Sequence, residues 1–267
     1  MKETSFSQLL AGFQPSSGGE GEVEIPADWM QGRTTYGGLT AAISFKAAER
    51  VCPDLPVRSA QIAFIGPVGG AVSVSSSLLR RGKNSAFVGV DVTGEGNLAA
   101  RCLFAFGKTR TSDLAHQDMP MPHDLPAPEG TTALFPDGGM RPNFTRHFNM
   151  RLAEGALPMS GGEAPLLGLW LRHKDRAAEA GPATVLAIAD APPPAAITMF
   201  QRPGAISSMT WMAEFVGDPS AATAAGWYYA RHSSETIKDG YAAQSMSLWT
   251  EDGAPCLIGR QTVAVFV

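Results

Sequence analysis

The chain has 267 residues and 44% hydrophobic content, which is enough for one large domain or two small ones around a sizeable core. The net charge is −4 and the 21 basic residues are scattered, so no basic face indicates nucleic-acid binding. No apolar run approaches the roughly 18 residues of a membrane-spanning helix, and residues 1–11 lack a signal-peptide pattern. We therefore expect a cytoplasmic protein with neither a nucleic-acid nor a membrane partner.

The first predicted element is a helix over residues 36–51. This segment is rich in alanine, Thr34 and Thr35 are available to cap its start, and Pro53 follows its end. Alternating segments come next and predict half-buried antiparallel strands. Their apolar positions are Val72 and Val74; Val88, Val90 and Val92; and Cys102, Phe104 and Phe106.

A segment rich in Pro, Asp, Gly and Thr then interrupts this pattern over residues 107–142. Segments of this length without regular structure are uncommon inside a compact domain, and they usually link or cover something. We interpret it as a linker between an N-terminal half, residues 1–106, and a C-terminal half, residues 143–267.

The second half repeats the first in outline. It begins with a predicted helix over residues 182–191, which three consecutive prolines stop, and alternating segments follow. The turn signals also keep their spacing: Gly82 and Gly240 are 158 residues apart, and Gly96 and Gly253 are 157 apart. A helix followed by antiparallel strands, repeated twice, predicts an α+β fold in which each sheet wraps its helix.

Several common signatures of metal, nucleotide and hydrolase sites are absent from the sequence. The three cysteines are widely spaced, which argues against a disulfide framework or a zinc site. The histidines at 147, 173 and 232 have no Cys, Asp or Glu at metal-ligand spacing. A Gly-x-Ser-x-Gly elbow, a phosphate-binding loop and a dinucleotide-binding fingerprint are also missing.

Five short segments carry a family resemblance. Residues 32–39 place an aromatic residue and two glycines before a run of small residues, and residues 78–83, 206–211, 233–240 and 259–263 follow in order. In order and spacing these segments resemble the acyl-CoA thioesterase II family. The resemblance covers residues 25–106 and 145–267, and it implies a double hotdog, two tandem antiparallel sheets each wrapped around a central helix.

The resemblance implies hydrolysis of an acyl or aryl thioester of coenzyme A, without a metal or an organic cofactor. Carried over by position, the family's water-holding residues are Ser208, Ser233 and Gln261. The family has an aspartate where Ser208 stands, and a serine hydroxyl cannot accept a proton near neutral pH. Asp190 and Asp28 are the carboxylates that remain available as a base.

The start of the first predicted helix supplies the expected substrate-binding residues, Tyr36, Gly37 and Gly38. Glycines there would let free backbone N–H groups approach a thioester oxygen, and the helix dipole would favour negative charge. Because this pair lies in the first half, it need not serve the same site as Gln261. The expected partner is a small acyl-CoA molecule, and a homo-oligomer is compatible with the paired halves.

Two alternative functions stay open. A non-catalytic acyl-thioester-binding protein would explain the serine at position 208. A hydratase or dehydratase would need a closely placed acid–base pair such as Asp and His, and residues 36–51 contain neither.

Overall fold

The computed structural model describes residues 3–135, 141–220 and 226–267. Its helices are α1 (Phe6–Gly12), α2 (Gly37–Val51) and α3 (Pro182–Ala189). Its strands are β1 (Gly21–Ile25), β2 (Met30–Gln31), β3 (Thr34–Thr35), β4 (Val57–Phe64), β5 (Gly70–Arg81), β6 (Ser85–Gly94), β7 (Asn97–Gly107), β8 (Thr132–Ala133), β9 (Phe148–Gly155), β10 (Leu166–His173), β11 (Ala205–Phe215), β12 (Tyr228–Lys238), β13 (Tyr241–Thr250) and β14 (Pro255–Phe266). None of the helices in these ranges is long and apolar enough to cross a membrane.

All but β2 and β3 join one antiparallel sheet of 12 strands, in the order β1-β5-β6-β7-β4-β11-β14-β13-β12-β10-β9-β8. The two halves meet at its centre, where β4 pairs with β11 and Ala60 lies opposite Ala213. One half of the sheet contacts α2 and the other contacts α3, and the two helices pack against each other. The predicted double hotdog is thereby confirmed.

Matching irregularities in the strand register support the internal repeat. Each half has one register shift within a hairpin, β5–β6 or β12–β13. It has another between the strand at the junction of the halves and its neighbour, in the pairs β4–β7 and β11–β14. The shifts lie at Leu78/Arg80 and Ser234/Thr236, and at Val57/Ser59 and Ser208/Thr210. Because a bulge changes which side chains face the helix, its repetition gives both halves the same alternation of inward and outward residues.

The predicted helix over residues 36–51 is confirmed, with Tyr36 as its N-cap. The expectation that Thr34 or Thr35 caps it was wrong, since these residues form β3 and the helix has no side-chain cap. The helix is buried on most sides because the sheet surrounds it, which explains its small residues. The second predicted helix is two residues shorter than expected and ends before Asp190.

The second half does not begin with its helix, as the sequence suggested, because β9 and β10 precede α3. The segment before them packs on the outer face of the second half of the sheet. There the indole N–H of Trp170 donates to the carbonyl of Pro126 at 2.8 Å, and that of Trp249 donates to Met119 at 3.0 Å. The boundaries of the linker, residues 107–142, stay a prediction, and residues 136–140 lie outside the described part.

Glycine permits the close contact between the two helices. A Cβ atom on Gly38 would lie 2.8 Å from the carbonyl oxygen of Ala187 on α3. The Tyr36 hydroxyl donates to the same carbonyl at 3.0 Å. The start of α2 is therefore held directly against the last turns of α3.

The aromatic pair in the first half gives a prediction on stability. Phe104 is fully buried and its ring lies 6.0 Å from that of Phe45 on α2. Replacing Phe104 by alanine should lower the free energy of unfolding by about 3–5 kcal/mol, because it removes a large apolar contact and leaves a cavity. Urea denaturation measures this loss. Phe266→Ala, at a residue that is 62% exposed, is the control and should cost under about 1 kcal/mol.

Candidate active site

The carboxyl group of Asp190 lies where the two helices meet. Asp190 is the C-cap of α3, and its Oδ1 accepts a hydrogen bond of 2.5 Å from the Gln261 side-chain amide. Its Oδ2 faces the start of α2, since a Cβ atom on Gly37 would lie 2.6 Å from it. One carboxylate thus contacts a strand of the second half and the first turn of the first-half helix.

The environment of Asp190 raises the pKa of its carboxyl group to about 7. Burial is the main cause, because removal from water disfavours the charged form. Hydrogen bonds from the Gln261 amide and from the backbone N–H of Gly38 act in the opposite direction. The residue as a whole is only partly buried. Such a group can exchange protons with water near neutral pH, as a general base must.

A chain of hydrogen bonds leads away from Asp190 through two glutamines. Gln261 Oε1 accepts a bond of 2.8 Å from the amide of Gln244, and Gln244 Oε1 accepts one of 2.9 Å from the backbone N–H of Ala195. The hydroxyl of Ser208 lies 3.5 Å from the same Gln261 oxygen. Gln244 is fully buried and Gln261 is almost so, hence both amides depend on these partners.

Strand pairing places these side chains in one row across the sheet. Ser234 lies opposite Gln244, which lies opposite Gln261, which lies opposite Trp211. We call these four residues the polar row. The Ser234 hydroxyl is buried without a protein partner among the described residues. The row therefore carries a hydroxyl, two amides and an indole on the face that looks toward α3.

The corresponding row in the first half is apolar. Its register runs through Leu78, Val88, Phe104 and Ala60. Phe104 takes the position of Gln261 and packs against Phe45 of α2. The repeat therefore provides two equivalent places for a site, and only the second carries polar groups.

The structure brings together most of the residues that the sequence indicated. Gln261 and Ser208 contact each other, and the first turn of α2 lies beside them at Asp190. Gly37 and Gly38 both lie against Asp190, the residue to which Gln261 is hydrogen-bonded, so the start of α2 and Gln261 lie at the same place. Tyr36 is buried and donates to Ala187, so it supports the helix contact and does not line an open surface.

Ser233 and Ser234 point to opposite faces of β12. On the outer face, Tyr229 and Arg231 both bond to Glu154, and Ser233 follows in the same alternation. Ser234 follows the buried His232 on the inner face. The hydroxyl in register with Gln261 is therefore that of Ser234, one residue from the position that the resemblance indicated.

The two carboxylates considered as a base lie in different places. Asp28 is 3.2 Å from the ring of His147 and accepts a bond from the backbone of Thr4, so it contributes to packing of the N-terminal segment. Asp190 is the one that contacts Gln261. Its sequence signal was its position directly after an apolar helix and before three prolines, which mark a sharp turn.

The histidine nearest this turn is neutral at ordinary pH. Burial lowers the pKa of His232 to about 4, and its ring faces the backbone carbonyls of Ala189 and Pro193. These carbonyls flank Asp190, so His232 helps to fix the turn that carries the carboxylate. Within residues 3–135, 141–220 and 226–267, no group of three or more His, Cys, Asp or Glu side chains forms a metal site.

Family models match both halves of the chain. The model of the acyl-CoA thioesterase N-terminal domain matches residues 25–107, and that of the acyl-CoA thioesterase C-terminal domain matches residues 117–265. The chain belongs to the acyl-CoA thioesterase family. A search of curated proteins gives no match.

Solved structures agree with the fold of this acyl-CoA thioesterase family member. A hot dog fold protein of unknown function from Alicyclobacillus acidocaldarius has a TM-score of 0.87 at 19% identity, over 99% of both chains. The tesB protein of Mycobacterium avium subspecies paratuberculosis has a TM-score of 0.79 at 17% identity, over 98% of this chain and 99% of the other. An acyl-CoA thioesterase II from Mycobacterium marinum has a TM-score of 0.74 at 16% identity, over 95% of each.

The raised pKa of Asp190 gives a prediction on stability against pH. Between about pH 4 and 7 the folded protein keeps a proton on Asp190 that the unfolded chain has released, so the free energy of unfolding falls as pH rises. Asp190→Asn removes this term. Urea denaturation from pH 4.5 to 8 should therefore show the stability of the wild type falling relative to the variant, by a few kcal/mol at most. Asp113→Asn, at an exposed carboxyl, is the control, and a pH-independent difference for Asp190→Asn would contradict the prediction.

Proposed function

We propose that this protein hydrolyses acyl-CoA thioesters to a free acid and coenzyme A, with Asp190 as general base. The observation that carries the proposal is the Asp190 carboxylate, hydrogen-bonded to Gln261 at the start of α2, with a pKa near 7. Membership of the acyl-CoA thioesterase family supports the same substrate class. The substrate is thus a small-molecule thioester, and the chemistry uses the chain's own side chains and water.

In the proposed reaction a water molecule attacks the thioester carbonyl carbon while Asp190 takes one of its protons. A new carbon–oxygen bond forms and the carbonyl oxygen becomes an oxyanion. The carbon–sulfur bond then breaks, and the leaving thiolate takes the proton back from Asp190. A carboxyl group with a pKa near 7 suits both proton transfers, because neither its charged nor its neutral form is strongly favoured.

The start of α2 is suited to hold the carbonyl oxygen. The first N–H groups of a helix have no partner within the helix, and the positive end of its dipole favours a developing negative charge. Gly37 is the first residue of α2 and lacks a side chain that would block approach. We assign its N–H as a donor to the oxyanion, while the N–H of Gly38 serves Asp190.

The polar row is suited to hold the attacking water. A water molecule beside Asp190 needs further donors and acceptors to fix its direction of attack. Ser208 and Ser234 each present a hydroxyl on the inner face, and the Ser234 hydroxyl has no protein partner among the described residues. We assign the water to Asp190, Gln261 and Ser234, with Ser208 as a support of Gln261.

The position of Asp190 argues against the alternative of a binding protein without activity. That alternative depends on the absence of a proton acceptor at Ser208, where the family resemblance led us to expect an aspartate. Asp190 offers a carboxylate in contact with the same glutamine, which supports hydrolysis. The histidine beside this turn, His232, faces backbone carbonyls and its lowered pKa keeps it neutral, so the acid–base pair of a hydratase is not favoured here.

Thiol release from short, long and aromatic acyl-CoAs tests the proposal. Asp190→Asn should lower kcat by about 10²–10⁴-fold, because the general base is lost. The rate of the wild type should fall as pH decreases through about 7, since the carboxylate becomes protonated. Gln261→Ala should also lower kcat strongly, because it removes the donor that holds Asp190.

The adjacent serines form a matched pair of controls. Ser234→Ala should lower kcat about tenfold by removing one hydrogen bond of about 1.4 kcal/mol to the water. Ser233→Ala, one residue away on the outer face, should leave kcat within about twofold. If Ser233→Ala lowers kcat and Ser234→Ala does not, Ser233 is the serine that holds the water. Absence of turnover on every acyl-CoA, with stabilisation of the fold by their binding, would instead support the binding protein.

A further inference from the structure

The side chain of Gln244 is fully buried between two partners and takes no direct part in the proposed reaction. Its Oε1 accepts from the backbone N–H of Ala195, the first residue of a 3₁₀ helix at Ala195–Met199. Its Nε2 donates to Gln261 Oε1. Gln244 therefore connects a backbone group to the amide that holds the Asp190 carboxylate.

This connection fixes the orientation of both amides. A backbone N–H can only donate, so the oxygen of Gln244 must face Ala195 and its NH₂ must face Gln261. The oxygen of Gln261 must then face Gln244, which leaves the NH₂ of Gln261 directed at Asp190. The reverse orientation of Gln261 would place its carbonyl oxygen against the carboxylate.

Comparison of the halves argues against a purely structural role. In the first half the equivalent position is Val88, which lies opposite Phe104 as Gln244 lies opposite Gln261. The valine fills this position of the same fold with no polar group. A buried amide costs free energy unless it is fully hydrogen-bonded, so the fold alone does not require one. The amide occurs in the half that carries the carboxylate.

We propose that Gln244 is a positioning residue, which holds the Gln261 amide with its N–H groups toward Asp190. This inference rests on the proposed function only for its kinetic consequence, because the orientation of Gln261 is a property of the folded chain. A donor directed at Asp190 stabilises the carboxylate against the effect of burial. Without Gln244, the Gln261 amide turns more freely and the carboxylate loses part of this stabilisation.

Gln244→Met tests the proposal, since methionine has a similar shape and neither donor nor strong acceptor. We expect the pKa that limits kcat at low pH to rise by about one unit, and kcat at pH 7 to fall about five- to tenfold. KM should change by less than about twofold. Gln61→Met, the same substitution at an exposed position of β4, is the matched control and should leave the pH profile unchanged.

Carbon-13 NMR of the aspartate carboxyl groups gives a second readout that needs no activity. Asp190 is identified as the signal missing from Asp190→Asn, and its titration should move to higher pH in Gln244→Met. If no acyl-CoA is hydrolysed but this titration moves, the proposed function fails and the positioning role stands. A folded Gln244→Met with the wild-type titration overturns the role. If that variant does not fold, Gln244→Asn, whose amide is one methylene too short to reach both partners, should show the same shift.

Discussion

A carboxylate buried between two helices loses favourable hydration free energy, and the contacts at the centre of this molecule offset part of that loss. Asp190 closes α3 and faces the first turn of α2, where Gly37 and Gly38 have no side chains to obstruct it. Donors from the Gly38 backbone and the Gln261 amide offset part of the loss of hydration. The balance leaves the pKa near neutrality, where a carboxyl group can both accept and return a proton.

In the proposed reaction, the close packing of the two helices therefore has a chemical role as well as a structural one. Tyr36 bonds to Ala187 across the helix contact, and Gly38 brings the backbones together. This contact joins the two halves, so a site built on a second-half carboxylate uses a first-half helix.

The two halves place side chains of opposite character at equivalent positions, polar in the second half and apolar in the first. Both halves keep the same strand order and the same register shifts, so equivalent positions face their helices. In one half Phe104 packs on Phe45, whereas in the other Gln261 meets Asp190. Because a buried amide needs partners, Gln244 and the Ala195 N–H accompany Gln261 in place of apolar side chains.

The sequence predicted much of this fold because helices and half-buried strands leave a periodic pattern. Alanine-rich residues 37–51, the alternating valines of β6 and the glycine turns all reflect local geometry. It gave less information on β9 and β10, which precede α3. The buried β10 is almost continuously apolar, so it shows no alternation that would distinguish it from a helix.

For the proposed site, the sequence by itself indicated Gln261, a polar residue in an apolar strand, and the two glycines that begin α2. Tertiary structure alone decided which carboxylate meets this glutamine and which of two adjacent serines faces it. Asp190 is 71 residues from Gln261, and packing of α3 against the sheet brings them together. Ser233 and Ser234 differ only in strand parity, which depends on register and on the bulge after Ser234. These facts depend on contacts between distant segments, and local sequence carries no record of them.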